Sequence, residues 1–153
     1  MLTNILKHFD AISTDHAPHS IDEKMELFDQ CPAGIASIDI APSLIINLIH
    51  RNILSLSDVV RLLSVGPAKI IGLNGKWGCF EEGCIASYTI IDPYKEFVVR
   101  SSDSFSKAKY SPYEGMRIRG AIVATIIEGM MVYLDGEIIE KPFAKPLTKF
   151  IGD

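Results

Sequence analysis

The seven residues Ser13-Thr14-Asp15-His16-Ala17-Pro18-His19 constrain this chain more than any other stretch. A short apolar run, Phe9, Ala11 and Ile12, precedes them and suits a buried strand. Pro18 stops any continuation of that strand, because it has no N–H to give to a ladder. The pattern predicts a core strand that delivers Asp15 at its C-terminal end, with His16 and His19 on the loop that follows. In a barrel of parallel strands and helices, such strand ends are where catalytic residues sit.

A chain of 153 residues is long enough for one domain with a substantial core. Its 48% hydrophobic content and mean hydropathy of +0.22 imply either a well-buried α/β core or a surface that something else covers. The net charge of −4 and pI near 5.5 leave no basic footprint for nucleic acid or an anionic membrane. No stretch reaches the roughly 18 consecutive apolar residues of a membrane span. Asn4, Lys7, His8 and Asp10 interrupt any signal-peptide core, so none is expected at residues 1–10. Cys31, Cys79 and Cys84 are odd in number and form no paired framework. Reduced thiols in a cytoplasm, without a structural zinc, are the plain reading.

Along the chain, Leu2, Ile5 and Leu6 have the spacing of a short amphipathic helix. Ser20 to Asp29 reads as a solvated loop or short helix, and Cys31 to Ile35 as a turn in which Gly34 takes a positive φ or lets a ligand approach. Pro42 to Arg51 is predicted as a helix with Leu44, Ile45, Leu48 and Ile49 on one stripe. Ser57 is read as the N-cap of a second helix through Leu63. A third, Ala68 to Ile71, opens at Gly66-Pro67 and closes at Gly72. From Asn74-Gly75 onward the chain reads as strand and turn: 85–91, 97–99, 120–127, 130–134 and 137–139, with Glu128-Gly129 and Asp135-Gly136 as hairpin turns. The organisation expected is therefore 1–73 α/β, 74–141 β, and 142–153 a C-terminal extension.

Asp15 beside two histidines admits three readings. It can ligate a divalent metal, shuttle a proton for a metal-bound water, or merely cap the next turn of a solvated loop. The other histidines, His8 and His50, fall on predicted helices, and no His-x-His or His-Glu-x-x-His occurs. The basic and aromatic stretch from Lys107 to Gly115 is more simply a packed surface loop than a nucleic-acid contact in a chain of net negative charge. Nucleotide-binding glycine motifs and a Gly-x-Ser-x-Gly elbow are absent.

Thr14-Asp15-His16-Ala17-Pro18-His19 followed by Glu23-Lys24 resembles the late signature of the dihydroorotases, a cyclic branch of the metal-dependent amidohydrolases. The motifs that follow keep the family's order. They are Pro32-Ala33-Gly34-Ile35, Pro67-Ala68-Lys69-Ile70-Ile71-Gly72-Leu73, Asp92-Pro93, Phe105-Ser106-Lys107 and Ser111-Pro112-Tyr113-Glu114-Gly115. Last comes Gly120-x-Ile122-Val123-x-Thr125-Ile126-Ile127-x-Gly129. The later pieces are shared with allantoinases and hydantoinases, whereas Ala17 and His19 favour dihydroorotase.

The resemblance implies an α/β fold, a (β/α)₈ barrel with a small β-sandwich built from both chain ends. It implies reversible cyclisation of N-carbamoyl-L-aspartate to dihydroorotate, in pyrimidine synthesis, at a zinc centre. Asp15 would then ligate metal and carry a proton between the metal-bound hydroxide and the amide nitrogen. His19 would bind the substrate carboxylate, and the backbone at Ala33 and Gly34 would hold the ring. The family's His-x-His, bridging lysine and two later histidines all lie upstream of its aspartate. The resemblance therefore covers about the last third of a dihydroorotase, the barrel's last strand, final helices and part of the sandwich. The expected partners are a small-molecule substrate and the missing N-terminal portion or a partner chain, with no nucleic acid or membrane, and oligomerisation is open. Gly66 stands where the family usually has Asn, Ile38-Asp39-Ile40 where it has a Leu-Glu-Thr-like run, and Ser87 where it has an acid.

Overall fold

The computed structural model describes residues 6–139, so the expected helix at the start and the extension 142–153 lie wholly or largely outside the described residues. Helices come first and an antiparallel sheet follows. Helix α1 (Ile21–Lys24) begins at Ser20, whose hydroxyl and backbone N–H exchange hydrogen bonds with Glu23 in a capping box. Helix α2 (Ala41–His50) carries Pro42 in its first turn, where a missing N–H matters least. Helix α3 (Leu56–Val60) runs through a π turn (Arg61–Val65) into α4 (Gly66–Ile70). Its N-cap is Ser55, two residues before the Ser57 expected: Asp58 closes a capping box with Ser55, and that box fixes where the helix starts.

Among the described residues the sheet has four strands in the order β1-β2-β3-β4: Tyr88–Val98, Arg117–Ile127, Met130–Leu134 and Glu137–Ile138. Each neighbouring pair is antiparallel, with Tyr88 opposite Ile126 and Thr125 opposite Tyr133. Both turns expected from Glu128-Gly129 and Asp135-Gly136 are present, with positive φ at all four residues, as hairpin turns of this kind require. The two strands expected at 85–91 and 97–99 are one. Asp92-Pro93 bulges β1 without ending it, because the Asp92 carboxylate accepts from the N–H groups of Tyr94 and Lys95 and bridges the irregularity.

Helices and sheet meet in a core of Ile46, Leu54, Val59 and Leu62, with Ile12, Ile91 and Ile122 packed against it. Ile46 and Leu62 are almost wholly buried, and each contributes roughly 1.5–3 kcal/mol of apolar burial. The approach of α2 to β2 depends on Gly120: a Cβ there would stand 2.2 Å from Ile46 Cγ2. Asn47 Oδ1 accepts from Arg119 N on β2 at 3.0 Å, and His50 Nε2 lies 2.6 Å from Pro93 O on β1, so α2 is tied to both strands.

Two further expectations need correction. The run before Asp15 is not a strand; Phe9 is half exposed, and among the described residues the only ladder contact there is a single parallel bridge between His16 and Ile35. Among the described residues no strand lies alongside 9–15, and a strand without a neighbour has nothing to hydrogen-bond to. Cys79 and Cys84 are joined in a disulfide rather than reduced, and only Cys31 is free. The intervening turn brings their Cα atoms to 6.0 Å, within bridging range, so the pair needs no wider framework.

Candidate functional site

The segment leading to Asp15 is held by the helix behind it. In the π turn Gly66 N–H bonds back to Arg61 O, and the next residue, Pro67, has no N–H. Leu62 O is thereby left for an outside donor, and Ile12 N takes it at 3.0 Å. Arg61 adds bonds from its guanidinium to the carbonyls of Leu6 and Phe9. Gly66 completes the seat, since a Cβ on it would fall 1.8 Å from Asp10 O. That contact is a physical reason for glycine at this departure from the family pattern.

Past this seat the chain turns at Asp15, which adopts φ +46. Aspartate tolerates the left-handed region better than most residues, and the turn leaves its carboxylate exposed. His16 is engaged by the facing loop. Its Nδ1 accepts from Ser37 N at 3.1 Å and Ile38 N at 3.2 Å, a geometry that uses the Nδ1 lone pair. Ala17 N donates to Ile35 O at 3.0 Å, which closes the contact between the two loops.

Gly34 sits in that contact with φ +81. A Cβ on it would lie 2.7 Å from both Asp15 O and Ala17 Cβ and 3.4 Å from Asp15 Oδ2. Of the turn expected at 31–35, the structure has bends at 31 and 33 and the positive φ at Gly34, whose bare Cα faces the Asp15 turn. Ala33 is exposed beside it. Lys24 reaches from α1 to donate to Pro32 O, which fixes the near end of the same turn.

His19 is one-third exposed, with Nδ1 3.8 Å from Glu23 Oε2. The Ser20 backbone N–H and hydroxyl, and then His19, hold the Glu23 carboxyl below its ordinary range. His19 O accepts from Tyr110 Oη at 3.1 Å. Lys107, Ala108, Lys109 and Tyr110 line a shallow hollow with Pro18, His19, Ser20 and Ile21. Sequence reading did not connect Lys107–Tyr110 with His19; a separation of about ninety residues leaves no local signal for it. A larger cleft, about 650 Å³, lies elsewhere, where Asp39, Phe97, Arg100, Phe105 and Tyr133 meet, and includes none of Asp15, His19, Ala33 or Gly34.

A zinc ion asks for at least three protein donors. Asp15 offers one exposed carboxylate, the His16 Nδ1 lone pair is taken by backbone N–H groups, and His19 faces Glu23. Among the described residues no group of three or more His, Cys, Asp or Glu could hold a metal ion. These residues alone do not fit zinc. No helix among them is long and apolar enough to cross a membrane.

The amidohydrolase family pattern matches residues 2–132. A dihydroorotase of Methanothermobacter thermautotrophicus is 39% identical over 135 residues, which are 88% of this chain and 31% of that one. A dihydroorotase of Pyrococcus furiosus is 33% identical over 138 residues, covering 90% of this chain and 32% of that one. The chain spans about a third of the length of the curated relatives it matches. Among solved structures, an L-hydantoinase (dihydropyrimidinase) from Arthrobacter aurescens superposes with a TM-score of 0.85 at 26% identity, over 92% of this chain and 32% of that one. An inactive dihydroorotase-like domain of a Chaetomium thermophilum CAD-like multifunctional protein superposes with a TM-score of 0.65 at 20% identity, over 92% of this chain and 37% of that domain's chain. That last likeness concerns the fold alone.

Proposed function

The chain belongs to the amidohydrolase family, and on that premise we propose that it forms one wall of a dihydroorotase active site, the C-terminal third of an enzyme that cyclises N-carbamoyl-L-aspartate to dihydroorotate. The observation that carries this reading is the contact of the Asp15 turn with Gly34, which sets an exposed carboxylate beside an open stretch of backbone. In this role Asp15 moves the proton to or from the ring amide nitrogen. His19 binds the substrate carboxylate, in a hollow that Lys107 also lines. The ring is held by the Ala33–Gly34 backbone, which Ala33 leaves exposed, while the bare Cα of Gly34 lets the Asp15 turn pack against it.

Zinc is the cofactor this reading assigns; Asp15 gives it one carboxylate, and its remaining ligands come from a preceding portion or a partner chain. Residues 1–73 then belong to the end of a (β/α)₈ barrel, 74–141 to its small β-sandwich and 142–153 to an extension. The cytoplasmic setting rests on a reading of the cysteines as reduced, and the Cys79–Cys84 bridge stands against that ground.

A second reading, a non-catalytic amidohydrolase-like module that docks on another chain, is favoured by the apolar residues left in solvent. Phe28, Phe80 and Met25 are 100%, 85% and 78% exposed. The two readings share a test. Purified alone, the chain is expected to hold no stoichiometric zinc by elemental analysis and to turn over no carbamoyl aspartate. One zinc or more per chain, with turnover lost in Asp15→Ala, would overturn the one-wall reading and make the chain an enzyme by itself.

A further inference from the structure

We infer that His16 is a positioning residue: its Nδ1 accepts two backbone hydrogen bonds that lock the Pro32–Ile38 loop against the Asp15 turn. The inference rests on the proposed role of Gly34 as ring-binding backbone and adds a residue to which no role has been given.

Backbone N–H groups at 37 and 38, at the end of the loop, both donate to one side-chain atom. His16 Nδ1 receives both, at 3.1 and 3.2 Å. Ser37 is buried, so its N–H has little access to water, and leaving it without an acceptor would cost the whole of its lost hydration. The residue that supplies the acceptor adjoins Asp15, and the bridge between His16 and Ile35 runs beside it. One imidazole therefore ties the two halves of the candidate site at the atom level. Ser37 Oγ reinforces the tie with bonds of 3.4 Å to Thr14 O and Ile35 O. At the other end of the loop Lys24 Nζ satisfies Pro32 O. The loop is clamped at both ends by side chains from the Asp15 turn and from α1, while Ala33 between them stays exposed.

The acceptor role dictates which replacements succeed. Asparagine places its amide oxygen near the Nδ1 position, whereas glutamine places its oxygen near Nε2, where no N–H of this loop waits. Bulk and polarity are similar in the two, so the comparison isolates the acceptor's position.

The test is backbone amide exchange by NMR on the full chain, in the parent, His16→Asn and His16→Gln, with thermal melting recorded alongside. Ser37 and Ile38 amides are expected to exchange within about threefold of the parent in His16→Asn and at least about tenfold faster in His16→Gln. The ¹⁵N spectrum of the parent is expected to show the Nε2–H tautomer. Equal exchange rates at Ser37 and Ile38 in the two variants, whatever their melting temperatures, or an Nδ1–H tautomer, would overturn the inference. Both readouts are blind to catalysis. Their failure therefore leaves the proposed function standing, and a failure of that function leaves the clamp standing.

Discussion

Gly34 and Asp15 touch so closely that a side chain on the first would collide with the second: a Cβ at 34 would lie 2.7 Å from Asp15 O. Steric space and backbone conformation reinforce one another here, since Gly34 also adopts φ +81. Gly34→Ala must therefore accept left-handed strain and push the Asp15 turn away. A loss of about 2 kcal/mol in urea unfolding is expected. An unchanged midpoint would mean that the two loops are not in contact.

Acid sensitivity follows from the helix caps. The Ser55 hydroxyl, its backbone N–H and then Arg61 hold the Asp58 carboxyl below its ordinary value of 3.8. Glu114 is lowered by its bonds to Ser101, and Glu23 by its bonds to Ser20. A group whose folded-state pKa is depressed binds protons more readily when unfolded, so its stabilisation is complete above the unfolded pKa and disappears as pH falls through the folded one. The melting temperature is expected to be flat from neutrality to about pH 5 and to fall below about pH 4.5. Ser55→Ala should lower the neutral plateau and make the acid limb shallower. A variant whose profile runs parallel to the parent's would remove Asp58 from the explanation.

These caps also show what was legible in the residues. The region of the second helix could be read, but not its start, because Ser55 and Ser57 both suit an N-cap and only the Asp58 partnership selects between them. Hairpins at 128–129 and 135–136 were legible because their turn chemistry is local. The strand before Asp15 misled, since an apolar run specifies burial while a strand also needs a neighbour to pair with. Asp15 and Gly34 could be picked out by motif. Their contact, the Leu62 carbonyl that seats Ile12, and the nearness of Lys107 to His19 depend on tertiary geometry, which no spacing rule encodes.

Exposed apolar residues give a third expectation. Met25, Leu27 and Phe28 lie within four positions and are 78%, 70% and 100% exposed. Light scattering after gel filtration is expected to give a mass above the 16.9 kDa of one chain. Met25→Ser with Phe28→Ser should shift the population toward that value. A parent chain that is already a monodisperse monomer would remove the case for a covered surface.

The most direct test of the account joins this chain to what it is proposed to lack. The N-terminal two-thirds of the Methanothermobacter thermautotrophicus relative, produced separately, is mixed with this chain and zinc, and dihydroorotate formation from N-carbamoyl-L-aspartate is followed. The account predicts turnover from the mixture, none from either part, and a fall of at least about a hundredfold with Asp15→Asn, which keeps the turn and removes the charge. Turnover undiminished by Asp15→Asn would contradict the account, as would a well-associated mixture that binds zinc and forms no product.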